Sequence, residues 1–423
     1  MSKVGFIKDE IKDQYLIDDR PWIVGFSGGK DSSTLLQLVW YALKELPKSK
    51  LKKEVHIVAN DTLVENPKVV AWLDSTLEKI EEAAKKEKLP FKVIKTTPEL
   101  ENSFWVNLIG KGYPAPNSTF RWCTERLKIT PTTKYIKDQV GKHGEVVVLL
   151  GTREDESSSR KRSIDRRQIL NERLSRHPQL ELAYVYSPIK SLETEELWQY
   201  LLQVPSPYNA SNRELVTLYK NATGGECPLV IDTTTSSCGN SRFGCWVCTV
   251  VKKDKSMEAL VDNGEEWLEP LLDLRDWLYE NRDKEQYRMP VRRNGAAGTG
   301  PYNIETRELI LSMLLKAQKD SGERLITTQE LKSIQILWTI DGYSRSVFDI
   351  YNRVFGSEIL HTMNKRDSIK KKHKEELNSL CERNQVDHEV LERLLSAEKD
   401  KRLLRKRADI KQIIKSEISN IVS

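Results

Sequence analysis

Trp22-Ile23-Val24-Gly25-Phe26-Ser27-Gly28-Gly29-Lys30-Asp31-Ser32-Ser33-Thr34-Leu35-Leu36 is the stretch on which the reading of this chain turns. The short apolar run 22–26 predicts a buried strand, and the residues from Ser32 onward open a helix. Paired glycines between a strand and a helix let backbone N–H groups converge on an anion, and the helix N-terminus adds partial positive charge. Lys30 adds a full one. The pattern is a phosphate cradle, but not of the Walker type, because GxxxxGK followed by Ser or Thr is absent. The bland alternative is a tight turn carrying an exposed lysine.

Outward from this loop, the first half of the chain alternates. Strand patterns at 21–26, 54–59, 91–95 and 144–150 are separated by helical patterns at 32–46, 66–88 and 126–140. Such alternation predicts an α/β fold, a doubly wound and mostly parallel sheet with helices on both faces. Ligands of such sheets bind at the carboxyl ends of strands. A polar stretch follows Arg153, then a strand-like run at 182–186 and a helix at 193–203. Residues 204–250 show little periodicity, a glycine-rich loop Arg292-Arg293-Asn294-Gly295-Ala296-Ala297-Gly298-Thr299-Gly300 comes later, and helices are predicted at 256–283, 304–320, 327–340 and 345–354. The expected domains are 1–203 for nucleotide chemistry, 204–300 for a cysteine-rich region with the glycine-rich loop, and 301–423 for a mostly helical, basic region.

Three further stretches lie at predicted strand ends or just beyond. Asn60-Asp61-Thr62 closes the second strand, where backbone can read an adenine edge, although an Asx-capped turn explains it equally. Arg121-Trp122-Cys123-Thr124-Glu125-Arg126-Leu127-Lys128 and Gly151-Thr152-Arg153-Glu154-Asp155-Glu156-Ser157-Ser158-Ser159-Arg160 bring guanidinium forks, which clamp phosphate oxygens in two places. Cys227, Cys238, Cys245 and Cys248 follow the spacing C-x10-C-x6-C-x2-C. Four thiolates on a glycine-containing loop suit a tetrahedral zinc or a 4Fe–4S cluster, and spacing does not separate the two. Cys123 sits beside Arg121 and Lys128, which would favour its thiolate.

The chain of 423 residues has 31% charged residues and six cysteines, too few for a secreted disulfide scaffold. No apolar stretch reaches the roughly 18 residues that span a bilayer, and the start lacks a signal-peptide core, so the expected setting is cytoplasmic, without a membrane partner. The net charge of +6 is uneven: from Lys365 onward there are 16 Lys and Arg against 11 Asp and Glu. The clusters at 370–374 and 402–407, and Arg292-Arg293, are candidate contacts with nucleic-acid phosphates.

Taken together, SGGKDS, the Arg121–Lys128 stretch (RxCTxxLK) and the Gly151–Arg160 stretch (GxRxxESxxR) resemble the PP-loop ATP pyrophosphatase and PAPS reductase superfamily, with its adenine nucleotide α-hydrolase-like fold. The resemblance implies that Ser27, Gly28, Gly29, Lys30, Asp31 and Ser32 hold pyrophosphate and its Mg²⁺. It implies that Asn60, Asp61, Thr62, Gly151 and Arg153 complete an ATP site, with Lys30, Asp31, Arg153, Arg160 and Cys123 as catalytic candidates. Adding the four-cysteine segment, Gly244-Cys245-Trp246-Val247-Cys248-Thr249 and the charged extension, the chain is similar to the DndC and SspD type of DNA phosphorothioation sulfurtransferases. That similarity implies a 4Fe–4S cluster on Cys227, Cys238, Cys245 and Cys248, a cysteine desulfurase as sulfur donor, and DNA and other Dnd or Ssp modification proteins as partners.

The chemistry so implied has ATP adenylating a DNA phosphate oxygen with loss of pyrophosphate, after which sulfur, as persulfide or cluster-bound sulfide, displaces AMP. Rival expectations are a PAPS or APS reductase, a tRNA-thiolating PP-loop enzyme and a zinc-stapled DNA-binding module. Against reduction, no cysteine follows Cys381 and no adjacent Cys-Cys pair occurs.

Overall fold

The computed structural model describes residues 3–156, 173–221 and 244–356, with Ser379, Cys381 and Arg383. Arg160, Cys227, Cys238 and the basic clusters at 370–374 and 402–407 lie outside the described residues. Two compact units are present, one of residues 1–99 with 116–272 and one of residues 100–115 with 273–423.

In the first unit, β1 (Trp22–Gly25), β2 (Val55–Asn60), β3 (Phe91–Thr96), β4 (Val146–Leu149), β5 (Leu174–Arg176) and β6 (Ala183–Tyr186) form one six-stranded sheet in the order β3-β2-β1-β4-β6-β5. All pairings are parallel except β5 with β6. The strands are apolar on successive residues because both faces are covered. Trp22 and Val24 point into one core with Val55, Ile57, Val147 and Leu149, whereas Ile23 points into another with Val58, Val146 and Val148. The first core is closed by α1 (Lys3–Leu16), α2 (Lys30–Lys44), α3 (Pro67–Glu87), α5 (Thr194–Gln203) and α6 (Asn212–Asn221). The second is closed by α4 (Thr130–His143), through Ile136 and Val140. The expected doubly wound, mostly parallel sheet is therefore present.

Three elements go beyond the sequence expectation. α1 buries Ile7, Ile11 and Tyr15 at helical spacing. The short β5 adds an antiparallel edge, and α6 falls inside the stretch that reads as having little periodicity. α7 (Lys255–Asp262) and α8 (Glu269–Asn281) follow in the chain. Among the described residues no helix is long and apolar enough to cross a membrane.

The second unit packs α9 (Ile304–Ser321), α10 (Thr328–Ile340) and α11 (Val347–Phe355) with the segment 100–115. That segment carries a π-helical turn at Val106–Gly110, held by Trp338 Nε1–H donating to the Ile109 carbonyl at 2.9 Å and by the buried Arg307 donating to the Gly110 carbonyl at 3.1 Å. The glycine-rich loop is the tip of a hairpin in which Arg288 pairs with Tyr302 and Val291 with Ala297. Residues 290–299 are exposed, and the Arg293 guanidinium lies 4.8 Å from the Tyr113 ring centroid.

Candidate functional site

The strand order reverses between β1 and β4, so the loops leaving their carboxyl ends diverge and open a crevice. The loop after β1 is 27–29, and the loop after β4 begins at Leu150 and Gly151. Gly28 holds φ at +73°, and a Cβ there would lie 2.5 Å from a ring carbon of Trp72, so no other residue fits without moving that ring. Gly151 passes so close to α2 that a Cβ would meet the Asp31 carbonyl oxygen at 2.9 Å.

Side chains then fix the loop. Ser27 N–H donates to Ser32 Oγ at 3.2 Å, and the Ser32 hydroxyl donates to the Gly29 carbonyl at 3.1 Å. The first rung of α2 is Ser33 N–H to the Gly29 carbonyl at 2.9 Å. The amides of Lys30, Asp31 and Ser32 precede that rung and face the helix start. Lys30 N–H donates to the Tyr219 hydroxyl at 3.2 Å. Lys30 is buried, with Nζ 3.0 Å from Asp31 Oδ2 and 5.6 Å from the Tyr219 ring centroid.

Arg153 departs from its expected role. Its side chain is 0% exposed, and its donors go inward: Nε to Asp31 Oδ1 at 2.6 Å, Nη1 to the Leu192 carbonyl at 3.0 Å, and Nη2 to Thr194 Oγ1 at 3.1 Å. Asp155 completes the knot, accepting from the Thr194 hydroxyl at 2.8 Å and lying 3.4 Å from Arg153 Nη1. Those bonds, the Thr194 hydroxyl first, hold the Asp155 carboxyl below the usual carboxylate range. Arg153 thus positions Asp31, whose two oxygens bridge it to Lys30; it is not the phosphate clamp that the sequence suggests, because its fork is spent on the scaffold.

At the end of β2, Asn60 has a structural task. The helix bearing Cys123 runs from Trp122 through a π-helical turn, Thr124–Ile129, into α4. Pro131 has no N–H to give the Leu127 carbonyl four residues back, and its ring crowds that carbonyl, which widens the turn. Asn60 Nδ2 supplies the missing donor at 2.9 Å. Asn60→Ala should therefore cost about 1–3 kcal/mol in urea unfolding, the price of a deserted carbonyl; a loss below about 0.5 kcal/mol would contradict this assignment. Asp61 closes an Asx turn, accepting from Leu63 N–H at 2.8 Å, and pairs with Lys95 at 3.0 Å.

The same strand end meets the cysteines. Trp246 N–H donates to the Val64 carbonyl at 3.0 Å, Glu65 forms an antiparallel bridge with Cys245, and the buried Thr62 hydroxyl lies 3.3 Å from Cys245 Sγ. Cys248 N–H donates to the Cys245 carbonyl at 3.0 Å, a turn that draws the pair together. Burial pushes the Cys245 thiol up to about 11, against the pull of Lys128. The Cys123 thiol is also raised, first by burial and then by the charge of neighbouring Cys248. This corrects the expectation of a thiolate stabilised by Arg121 and Lys128. Glu65 is raised by burial despite Lys128 at 3.4 Å. Lys128, with 47% of its side chain exposed, is raised because Cys245 and Glu65 outweigh its desolvation. Among the described residues no three His, Cys, Asp or Glu side chains converge as a metal-holding group.

The structure thus gathers Ser27–Ser32, Gly151 and Arg153 at one crevice, and Asn60, Asp61 and Thr62 with Cys123, Cys245 and Cys248 at the end of β2. Sequence reading missed Tyr219 and Glu65. No motif marks either, and only their distant partners reveal them.

An uncharacterized protein of Methanocaldococcus jannaschii is 28% identical over 251 residues, 59% of this chain but only 40% of that protein. The PAPS reductase from Candida auris, solved as a phosphate complex, has 13% identity and a TM-score of 0.31 over 49% of this chain and 87% of its own. The U34-tRNA thiolase NcsA from Methanococcus maripaludis, solved with its 4Fe–4S cluster, has 13% identity and a TM-score of 0.29 over 66% of this chain and 80% of its own. The phosphoadenosine phosphosulfate reductase domain matches residues 21–251, more than half of the chain, from β1 through the Cys245–Cys248 pair. The chain belongs to the phosphoadenosine phosphosulfate reductase domain family.

Proposed function

We propose that this chain adenylates a phosphate oxygen with ATP and then exchanges that oxygen for sulfur, the acceptor being the backbone phosphate of DNA. The observation that carries the reading is the Thr62–Cys245 contact of 3.3 Å, which ties thiol chemistry to the sheet edge that bears the phosphate cradle. A nucleotide-activating loop and sulfur donors on one edge suit a reaction that uses both.

In the first step a non-bridging DNA oxygen attacks the α-phosphorus of ATP, the bond to the β-phosphate oxygen breaks, and pyrophosphate leaves on Ser27–Ser32. Lys30 and the α2 amides offset the charge that develops there, the main protein contribution to such transfers. Asp31, braced by Arg153, holds Lys30 in place and is the carboxylate available to Mg²⁺. Sulfur at the sulfide level then attacks the DNA phosphorus, and AMP departs with the original oxygen. Adenylation is needed because an oxide is a very poor leaving group.

Cys245 and Cys248, with Cys227 and Cys238, are the donors that would hold a 4Fe–4S cluster, and thiolates are its usual ligands. When bound, such a cluster supplies an iron site for sulfide. The exposed Arg292 and the Arg293 stacked on Tyr113 offer guanidinium groups to DNA phosphates. A cysteine desulfurase and companion modification proteins are the proposed partners.

The test incubates anaerobically purified protein with ATP, Mg²⁺, a sulfide source and DNA, and digests the DNA for mass spectrometry. Phosphorothioate linkages with matching pyrophosphate are expected. The family match itself favours a second reading, reduction of sulfate carried on an adenine nucleotide. Sulfite release from PAPS or APS, with unmodified DNA, would establish that reading instead.

A further inference from the structure

We infer that the hairpin of residues 288–302 is a prong for duplex DNA, its tip entering the major groove while Arg292 and Arg293 take backbone phosphates. It deepens the proposed function and rests on the reading of DNA as the acceptor. From Gln286 to Ile304 there are three arginines and neither aspartate nor glutamate, in a chain where 62 of 423 residues are acidic. No local carboxylate therefore offsets the three guanidinium charges, and such clustering is the electrostatic footprint of a phosphate-binding surface. Every residue from Pro290 to Thr299 is exposed.

Exposed as it is, the ribbon is ordered by its own hydrogen bonds. Arg292 N–H donates to the Ala296 carbonyl at 2.9 Å, Gly298 N–H to the Pro290 carbonyl at 3.2 Å, and Gly300 N–H to the Met289 carbonyl at 2.7 Å. Arg288 fastens the base, its Nε donating to the Gly300 carbonyl and its Nη1 to the Arg282 carbonyl, both at 2.6 Å. Arg293 braces one side, donating to the Lys111 carbonyl and lying over the Tyr113 ring. Gly298 leaves room for Arg292, because a Cβ there would crowd its Nε at 3.0 Å. A ribbon so preformed loses little conformational freedom when a partner binds. Besides an α-helix, a two-stranded ribbon is the element that the major groove admits. At the tip, Gly295-Ala296-Ala297-Gly298 add nothing wider than a methyl group. No aromatic residue lies between Pro290 and Pro301, so the prong has no platform for an unstacked base, which favours duplex over single strand.

The experiment titrates the full chain into a fluorescent duplex of about 20 base pairs, read by anisotropy across about 0.05–0.3 M salt, with single-stranded DNA and RNA of the same length alongside. Arg292→Ala should weaken duplex binding by about five- to tenfold at about 0.1 M salt, and should lower the slope of log K against log salt by about one. Arg292→Lys keeps the charge and should keep the slope. Lys85→Ala removes an exposed cation from α3, away from the prong, and should change affinity by less than about twofold. An Arg292→Ala variant that matches Lys85→Ala in affinity and slope overturns the inference, as does tighter binding of the single strand or of RNA than of the duplex. A wild type that binds no DNA would remove the reading of DNA as acceptor, and the inference with it.

Discussion

Lys30→Ala is expected to abolish pyrophosphate release from ATP, with kcat falling by about 10²–10³-fold, the usual consequence of deleting a charge aimed at a developing anion. Lys30 is the cation of the cradle loop, and its Nζ is held 3.0 Å from Asp31 inside a buried pocket. That anchoring means the ammonium is in place before ATP arrives, so little reorganisation opposes its action. Alanine keeps the helical backbone of α2, since both residues are good helix formers. The fold should therefore survive, with the melting temperature little changed. Pyrophosphate release is measured by a coupled phosphate assay, and release at wild-type rate would end the assignment of the loop to ATP chemistry.

Arg153→Ala should act differently, through stability first. Its removal strips Asp31 and Asp155 of a cation and leaves the Leu192 carbonyl and Thr194 hydroxyl without their donor. Breaking a buried ion pair from one side costs about 3–5 kcal/mol, and because Asp31 and Asp155 retain 22% and 42% exposure the loss here should be nearer about 2–4 kcal/mol. Arg153→Lys keeps the charge but not the fork, and should recover only part of the loss. Urea unfolding measures both. Stability within about 0.5 kcal/mol of wild type in Arg153→Ala would show that the guanidinium serves the ligand and not the loop. Coupling to Asp31 is separable by a double-mutant cycle with Asp31→Asn, where an interaction of about 1–3 kcal/mol is expected.

These two variants divide what was legible from what was not. The strand, the glycine pair, the lysine and the helix start are consecutive residues, and their geometry follows from local preferences: β-branched residues for a strand, a left-handed turn at Gly28, and a helix that the sequence opens at Ser32 and the structure at Lys30. The mostly parallel sheet follows from the alternation of strands and helices, whereas the strand order is seen only in the structure. Hence the cradle and the parallel sheet could be read from residues 22–150 alone.

Side-chain partnerships could not. An arginine in a Gly-Thr-Arg motif reads as a phosphate clamp, and only the arrival of Leu192 and Thr194 beside it spends its donors elsewhere. Asn60 reads as a ligand-facing residue at a strand end, until Pro131 deprives the Leu127 carbonyl of an amide and the asparagine answers it. Cys123 reads as an activated thiol beside two cations, but burial next to Cys248 reverses the sign. In each case the deciding group comes from a distant part of the chain, and no periodicity encodes it. The sequence by itself determined a mostly parallel α/β sheet and, at the carboxyl end of its first strand, a glycine-bearing loop that reads as a phosphate cradle. The tertiary structure alone decided which side chains brace that loop, which remain for a ligand, and that the thiols stand at the neighbouring strand end, because hydrogen-bond satisfaction and desolvation depend on what the folded chain brings together.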